Sequence, residues 1–239
     1  MAKAPRESEV KTRLVPPLTF KEAADLSSCF LRDLAGSIVN LDPLVQPVCC
    51  FAPEGAEASF RNLLPDGFLL LSQRGDSLAS RLTHAVDDLF SAGFRTVCLI
   101  GADSPTVPAT VLKEAIRVIG NSEHQIVLGP SQDGGYYLIG LNSRYPELFE
   151  GIAWSTNMVV RQTTQRANSV RLSIYSLPTH YDIDNANDLA KLCDELLGPA
   201  RPSDKTIAPI TRSFLARLIA KEGRERIWPV QCHSGKGPT

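Results

Sequence analysis

Short apolar runs mostly alternate with longer segments whose apolar residues recur at helical spacing, and this alternation limits the possible folds more than any other feature. The strand-like runs are "VQPVCCFAP", "GFLLLSQ", "RTVCLIGADSP", "QIVLGP" and "VRLSIYSLP". The helix-like segments are "LTFKEAADLSSCFLRDLAGSI", "SLASRLTHAVDDLFSAG", "ATVLKEAIRVIG", "MVVRQTTQRA" and "NANDLAKLCDEL". Such alternation predicts an α/β fold, a mainly parallel sheet with helices on both faces. Ligands then bind beyond the carboxyl ends of the strands.

The sequence divides into a main domain, residues 1–197, and a C-terminal part, residues 198–239. The second part opens with the proline-broken stretch "GPARPSDKTIAP", continues with the amphipathic "ITRSFLARLIAKEG" and ends in polar residues. This composition predicts a linker, a short helix and a polar tail. We expect the helix to pack on the surface of the main domain or to mediate self-association.

Charge and cysteine usage narrow the class of partner and the compartment. The 25 basic and 26 acidic residues nearly cancel, which gives no electrostatic reason to expect a nucleic acid or a membrane surface and favours small molecules. The six cysteines show no CxxC pair and no zinc-like spacing, so reduced thiols are predicted. No apolar run approaches the roughly 20 residues that span a bilayer. A cytoplasmic location is expected.

The turn "GADSP" follows a strand-like run and contains Asp103 and Ser104. Either residue could cap the following helix. Alternatively, Asp103 binds Mg²⁺ or Mn²⁺, because a hard oxygen donor at the carboxyl end of a strand can bridge the cation to a diphosphate. The local sequence leaves both interpretations open.

The N-terminal stretch "KAPRESEVKTRL" carries Lys3, Lys11 and Arg13 just before the first helix. It is either a solvated basic loop or a loop that places ammonium and guanidinium groups around phosphates. The helix that begins near Thr19 would add positive potential. Spacing alone does not choose between these.

The stretch "PSQDGGYYLIGL" places two glycines after an aspartate and before an apolar strand. It is either a tight hairpin turn or a place where a ligand lies against the main chain at Gly134 and Gly135. In the second case Asp133 would contact ligand hydroxyls or serve as a general base.

The late stretch "THYDIDNANDLAKL" places Asp182 and Asp184 directly before a helix. Asp184 could cap that helix, and Asp188 lies in its first turn. Alternatively, one of the carboxylates supplies a second metal ligand opposite Asp103, as suits a cation bound through one or two carboxylates plus phosphates.

Taken in order, several of these segments resemble the selenodomain-associated transferase family, a bacterial group of glycosyltransferase-A-type proteins. The segments that carry the resemblance are "AKAP", "EVKTRL", "GADSP", "GPSQDGGYYLIGL", "WST" and "DIDNANDL". The resemblance covers residues 2 to about 197 and leaves the C-terminal part outside. It implies a Rossmann-like nucleotide-diphospho-sugar transferase fold, which is related to that of nucleotidylyltransferases.

The resemblance also implies roles for individual residues. It places Lys11 and Arg13 in the nucleotide-phosphate loop and makes Asp103 and Asp184 ligands of Mg²⁺ or Mn²⁺. On the acceptor or sugar side it places Asp133, Gly134, Gly135, Tyr136, Trp154, Ser155 and Thr156, with Lys3 and Ser104 as further candidate substrate-binding residues. Trp154 could instead be a buried anchor for a surface loop.

The implied function is metal-dependent transfer of a sugar from a nucleotide diphosphate sugar to an acceptor of unknown identity. A nucleotidylyltransferase acting on a nucleoside triphosphate and a non-catalytic nucleotide-binding protein are the alternatives. The oligomeric state is left open.

Two departures from the family pattern bear on these expectations. Relatives have an apolar first strand ahead of "AKAP", whereas Met1 stands here where that strand would be ending. This predicts a shortened first strand, and it suggests that the start codon is assigned too far downstream. In the late motif, Asn185, Ala186 and Asn187 replace the common Thr-Pro-Glu, which alters the helix start and keeps both aspartates.

Overall fold

A computed structural model of the protein describes residues 1–121, 123–198 and 206–228, which form an α/β structure. The strands are β1 (Ala2–Lys3), β2 (Val48–Ala52), β3 (Leu69–Ser72), β4 (Val97–Ile100), β5 (Gln125–Pro130), β6 (Tyr136–Leu141) and β7 (Ser173–Ser176). The α-helices are α1 (Phe20–Val39), α2 (Glu57–Leu63), α3 (Leu78–Ser91), α4 (Ala109–Gly120), α5 (Val159–Ser169), α6 (Ala186–Leu197), α7 (Pro209–Glu222) and α8 (Arg224–Ile227). Short 3-10 turns lie at Thr12–Leu14 and Pro146–Leu148.

The strands form two sheets. The first has the order β1-β2-β3, and both of its pairings are parallel. The second has the order β4-β6-β5-β7, in which β5 and β7 are parallel and β6 runs antiparallel to both of its neighbours. The predicted mainly parallel α/β architecture is confirmed. The antiparallel β6 arises because β5 and β6 are joined directly by the glycine turn, which leaves no length for a crossover.

The first strand is short and lies between the two sheets. Ala2 and Lys3 pair with Phe51 and Ala52 of β2. On the other side, the Met1 ammonium group donates a hydrogen bond of 2.9 Å to the Ile100 carbonyl at the end of β4. The start of the chain therefore links the two sheets at the carboxyl ends of their strands.

Helix α1 begins where the sequence predicts. The Thr19 hydroxyl accepts a hydrogen bond from the Glu22 N–H, and the Glu22 carboxylate accepts one from the Thr19 N–H. These reciprocal bonds satisfy two N–H groups that a helix start leaves without partners. The buried face of α1 includes Leu26 and Phe30, which pack in a core cluster with residues of α6 and α7.

The C-terminal helix packs against the main body. Leu215 and Leu218 of α7 belong to the same core cluster as Leu26 of α1. Buried Asp33 of α1 accepts hydrogen bonds from the Ile210 and Thr211 N–H groups, at 2.9 and 2.7 Å, and so caps α7 from another helix. The predicted helix is present, most of the predicted linker and the polar tail lie outside the described residues, and self-association stays a prediction.

The helices and the cysteines agree with two expectations from the sequence, the absence of a long apolar run and the reduced state of the thiols. None of the helices within residues 1–121, 123–198 and 206–228 has the length and apolar character needed to cross a lipid bilayer. The cysteines in those ranges, Cys29, Cys49, Cys50, Cys98 and Cys193, are free thiols. Cys232 lies outside the described residues.

Candidate functional site

A cavity of about 930 Å³ opens at the carboxyl ends of the strands. Its wall is built from the loop after β1, the turn after β4, the turn between β5 and β6, the segment before α5 and the loop before α6. The predicted site residues in the wall are Lys3, Lys11, Arg13, Asp103, Asp133, Gly135, Tyr136, Trp154, Ser155, Thr156 and Asp184. The fold thus brings together side chains from distant parts of the sequence.

An ammonium group lies between two carboxylates at the centre of this wall. The Lys11 Nζ is 2.5 Å from Asp103 Oδ1 and 3.1 Å from Asp184 Oδ1, and it donates a 2.8 Å hydrogen bond to the Ile183 carbonyl. The Lys11 side chain is 6% exposed, whereas that of Asp103 is 50% exposed. The two carboxylates therefore converge on one position that a cation already occupies.

Arg13 and Lys3, the other two predicted phosphate-binding residues, lie in more open parts of the wall. Arg13 Nη2 is 2.7 Å from Asp184 Oδ2, and the Arg13 side chain is 72% exposed. The Lys3 ammonium donates a 2.9 Å hydrogen bond to the Glu9 carbonyl. Because the Arg13 side chain is exposed, it can contact an anion in the cavity without first being drawn out of the protein interior.

Asp103 and Asp184 are carboxylate donors of the kind that Mg²⁺ prefers, and they could hold such a cation beside substrate phosphates. Within the described ranges, no three His, Cys, Asp or Glu side chains gather as a closed metal site would require. The cavity does contain the two converging carboxylates of Asp103 and Asp184. Mg²⁺ commonly binds through one or two carboxylates plus substrate phosphates while keeping several waters.

The helix starts show that these aspartates are not needed as caps. Helix α6 is capped by Asn185, whose side chain accepts from the N–H groups of Asn187 and Asp188. Helix α4 begins after Pro108, which lies beyond the "GADSP" turn. The capping interpretation is therefore wrong for Asp103, Ser104 and Asp184.

A partly buried carboxylate, Asp182, ties together three of the loops that form the cavity. Ser104 Oγ donates a hydrogen bond to Asp182 Oδ1, and Ser131 Oγ donates one of 2.6 Å to Asp182 Oδ2. Burial raises the pKa of the Asp182 carboxyl, although the two hydroxyl donors oppose that shift. Ser104 is 2% exposed and lies behind the cavity wall. Its hydroxyl therefore holds the "GADSP" turn against the loop before α6.

The glycine turn between β5 and β6 is shaped by contact with the protein's own backbone. Gly134 has φ of +89°, and a Cβ built there would lie 2.3 Å from the Asn157 carbonyl oxygen. The Val160 N–H donates a 2.9 Å hydrogen bond to the Gly134 carbonyl. Both the hairpin and the close approach are present, but at Gly134 the approaching group is the segment before α5. Asp133 Oδ1 accepts from the Gly135 N–H at 2.8 Å, and both residues face the cavity.

Two aromatic side chains form an apolar part of the wall. The rings of Tyr136 and Trp154 meet edge to face, with centroids 6.2 Å apart. The Tyr136 hydroxyl and the Trp154 Nε1 are buried and have no hydrogen-bond partner within the described part of the chain, and burial raises the pKa of Tyr136. Beside them, Ser155 has φ of 63° and Thr156 Oγ1 donates a 2.7 Å hydrogen bond to the Ala153 carbonyl. Trp154 thus anchors its segment and also faces the cavity.

The sequence analysis did not identify the residues after β3 as part of the site. Gln73 donates hydrogen bonds to the carbonyls of Ala2 (3.2 Å) and Cys50 (2.7 Å) and so joins β1 to β2 beside the cavity. Leu78 and Arg81 of α3 also line the wall. The signal was available, since "SQRGDSLASRL" is a polar, glycine-containing turn at the carboxyl end of a strand.

Comparisons with known proteins agree with this architecture. Residues 38–156 match the family described as "Uncharacterized protein conserved in bacteria" (DUF2064). No curated protein matches the sequence. One similar solved structure is a crystal structure of a protein from Desulfovibrio desulfuricans G20 that is named as a proposed nucleotide-diphospho-sugar transferase. It aligns with a TM-score of 0.80 and 28% identity, over 92% of this chain and 94% of that one.

A second solved structure is more distant. It is a cytidylyltransferase from Leptospira borgpetersenii serovar Hardjo-bovis (strain JB197), which aligns with a TM-score of 0.52 and 12% identity over 95% of this chain and 93% of that one. The chain therefore has the nucleotide-diphospho-sugar transferase fold, as predicted. Both solved structures carry the names of transferases. Membership of the selenodomain-associated family stays a prediction.

Proposed function

We propose that the protein is a cation-dependent glycosyltransferase that moves a sugar from a nucleotide diphosphate sugar to an acceptor hydroxyl. The observation that carries the proposal is the convergence of the Asp103 and Asp184 carboxylates on the position of the Lys11 ammonium group. This position lies beside Arg13 in a cavity at the strand ends. The likeness to the Desulfovibrio protein supports a nucleotide-sugar donor.

On the donor side, Asp103 and Asp184 would hold Mg²⁺ or Mn²⁺. The bound cation would supply positive charge beside the departing diphosphate. Arg13, whose side chain is largely exposed, would bind the diphosphate oxygens through its N–H donors. Lys11 would contribute a second positive charge, and such preorganised charges stabilise the negative charge that develops as the leaving group departs.

On the acceptor side, Asp133 would act as the general base. Its carboxylate lies in the cavity wall and is held by the Gly135 N–H. The acceptor oxygen would attack the anomeric carbon, the bond from that carbon to the diphosphate oxygen would break, and the hydroxyl proton would pass to Asp133. Tyr136, Trp154 and Thr156 line the same wall and would hold the acceptor.

A nucleotidylyltransferase is the second candidate. It is favoured by the position of the basic loop, because Lys11 and Arg13 lie between β1 and α1 and contact the aspartates of the cavity. In that reaction an oxygen of the second substrate attacks the α-phosphate of a nucleoside triphosphate, and pyrophosphate leaves.

Product analysis separates the two candidates. The full chain is incubated with Mn²⁺ and either nucleotide diphosphate sugars or nucleoside triphosphates, and the release of nucleoside diphosphate or of pyrophosphate is measured. We expect nucleoside diphosphate, from a slow transfer to water or buffer hydroxyls. Asp103→Asn should abolish this release, whereas Asp25→Asn, at an exposed pair with Lys21 outside the cavity, should not. Pyrophosphate release alone would replace the first candidate with the second.

A further inference from the structure

One face of helix α3 forms part of the cavity wall and has no role in the chemistry described above. Leu78, Arg81 and Leu82 are spaced i, i+3 and i+4, so they share one side of the helix, and all three line the cavity. Leu78 is 45% exposed although it is a large apolar residue. Leu82 is only 6% exposed, so this face offers a ligand mainly the apolar surface of Leu78 beside the positive charge of Arg81.

The Arg81 guanidinium group is held in place but has no acidic partner. Its Nε donates a 2.9 Å hydrogen bond to the Gly75 carbonyl. No ion pair to it is found in the part of the chain that the structure describes, whereas Lys11 and Arg13 in the same wall contact aspartates. A guanidinium group fixed at Nε presents its outer N–H donors as a fork, which matches the two oxygens of a carboxylate or a phosphate.

Apolar and aromatic side chains line part of the same cavity wall. Leu82 belongs to the core cluster against which Tyr136 and Trp154 pack. The Tyr136 hydroxyl and the Trp154 Nε1 in that wall also lack partners among the described residues. The leucines and aromatic rings in the wall favour a ligand with an apolar body.

We propose that Arg81 binds an anionic group, a carboxylate or a phosphate, on the second substrate, whose apolar or aromatic body lies against Leu78, Leu82 and Trp154. This inference rests on the proposed function, since it treats the occupant as the acceptor and not as the nucleotide. The acceptor is then an amphiphilic anion, with its reacting hydroxyl toward Asp133.

The proposal is tested by binding of small probes, without donor and without turnover. The chain has two tryptophans, and Trp228 packs in the cluster with α6 and α7. In a Trp228→Phe background, emission therefore reports on Trp154. Phenyl phosphate and benzoate are titrated, with inorganic phosphate and benzyl alcohol as probes that lack the apolar body or the charge. Thermal unfolding confirms that each variant is folded.

We expect phenyl phosphate and benzoate to change the Trp154 emission and to bind more tightly than inorganic phosphate or benzyl alcohol. Arg81→Gln should weaken both by about tenfold or more, and Arg81→Lys should restore part of the affinity as a single charge. Arg61→Gln, on α2 and outside the cavity wall, is the matched control and should have no effect.

Three results would overturn the proposal. The first is that Arg81→Gln weakens the binding of phenyl phosphate and benzoate no more than Arg61→Gln does. The second is loss of probe binding in Lys11→Met and not in Arg81→Gln, which would place the anion in the diphosphate region. The third is an equal loss of nucleoside diphosphate binding with Mn²⁺ in Arg81→Gln, which would assign Arg81 to the nucleotide. Failure of glycosyl transfer leaves these binding results unchanged, so the two proposals fail separately.

Discussion

Replacing Lys11 with methionine should strengthen the binding of Mn²⁺ in the absence of nucleotide. The substitution keeps most of the side-chain volume but removes the ammonium group that lies 2.5 Å from Asp103 and 3.1 Å from Asp184. A cation that binds these carboxylates in the unsubstituted protein must compete with Lys11, both for contact and through charge repulsion. In Lys11→Met that competition is gone.

The size of the effect follows from the two ion pairs. At 4 Å and an effective dielectric constant of about 20, each pair is worth about 4 kcal/mol before desolvation. Asp103 is half exposed, so water screens the pair and the net value is closer to that of a charge-assisted hydrogen bond, about 1.5–3 kcal/mol. Counting only the competing contact with Asp103, its loss tightens Mn²⁺ binding by about tenfold to a hundredfold, and loss of the contact with Asp184 acts in the same direction.

Isothermal titration with Mn²⁺ measures this change directly. Lys3→Met is the matched control, because Lys3 lines the same cavity but donates to the Glu9 carbonyl and not to an aspartate. With saturating Mn²⁺, Lys11→Met should bind nucleoside diphosphates more weakly than the unsubstituted protein. Equal or weaker Mn²⁺ binding in Lys11→Met would refute the reasoning, since the carboxylates that hold Lys11 would then not be the cation site.

Three further predictions concern stability. Asp182→Ala leaves the Ser104 and Ser131 hydroxyls without their acceptor and should lower the free energy of unfolding by about 2–4 kcal/mol; a urea midpoint close to the parent value would contradict this. Burial lowers the pKa of His180, so the unfolded state takes up its proton first and stability should fall as the pH drops below about 6.5. His180→Gln should flatten that fall in pH-dependent thermal unfolding, and an unchanged slope would count against it. Asp33→Ala removes the acceptor for the first N–H groups of α7 and should cost about 1–2 kcal/mol, measured by urea unfolding with no change in Mn²⁺ affinity.

Local patterns were enough to predict the elements and the edge of the sheet where the cavity lies. Helical spacing and the Thr19–Glu22 pair placed the start of α1, since both depend on residues within one turn. Asp103 follows an apolar run, and the carboxyl end of a strand in an α/β sheet is where ligands bind. These inferences hold because the interactions that decide them are local.

The features of the site that the sequence did not predict depend on contacts between residues far apart in the chain. Ser104 lies behind the cavity wall because Asp182, 78 residues further on, accepts its hydrogen bond. Gly134 is glycine because Asn157 approaches it. Lys11 meets Asp184 across 173 residues. Arg81 lies in the wall because the next residue, Leu82, packs in the core cluster with strand residues such as Leu99. None of these contacts leaves a periodic signal in the sequence.

Cation-dependent binding of a nucleotide sugar is the central claim, and thermal stabilisation measures it directly. The full chain and Asp103→Asn are heated with a panel of nucleotide diphosphate sugars and nucleoside triphosphates, each with and without Mn²⁺. We predict that at least one diphosphate sugar raises the melting temperature only with Mn²⁺, and that Asp103→Asn loses this increase. An increase that is equal without Mn²⁺, or equal in Asp103→Asn, would contradict the claim, and an increase with triphosphates alone would favour nucleotidyl transfer.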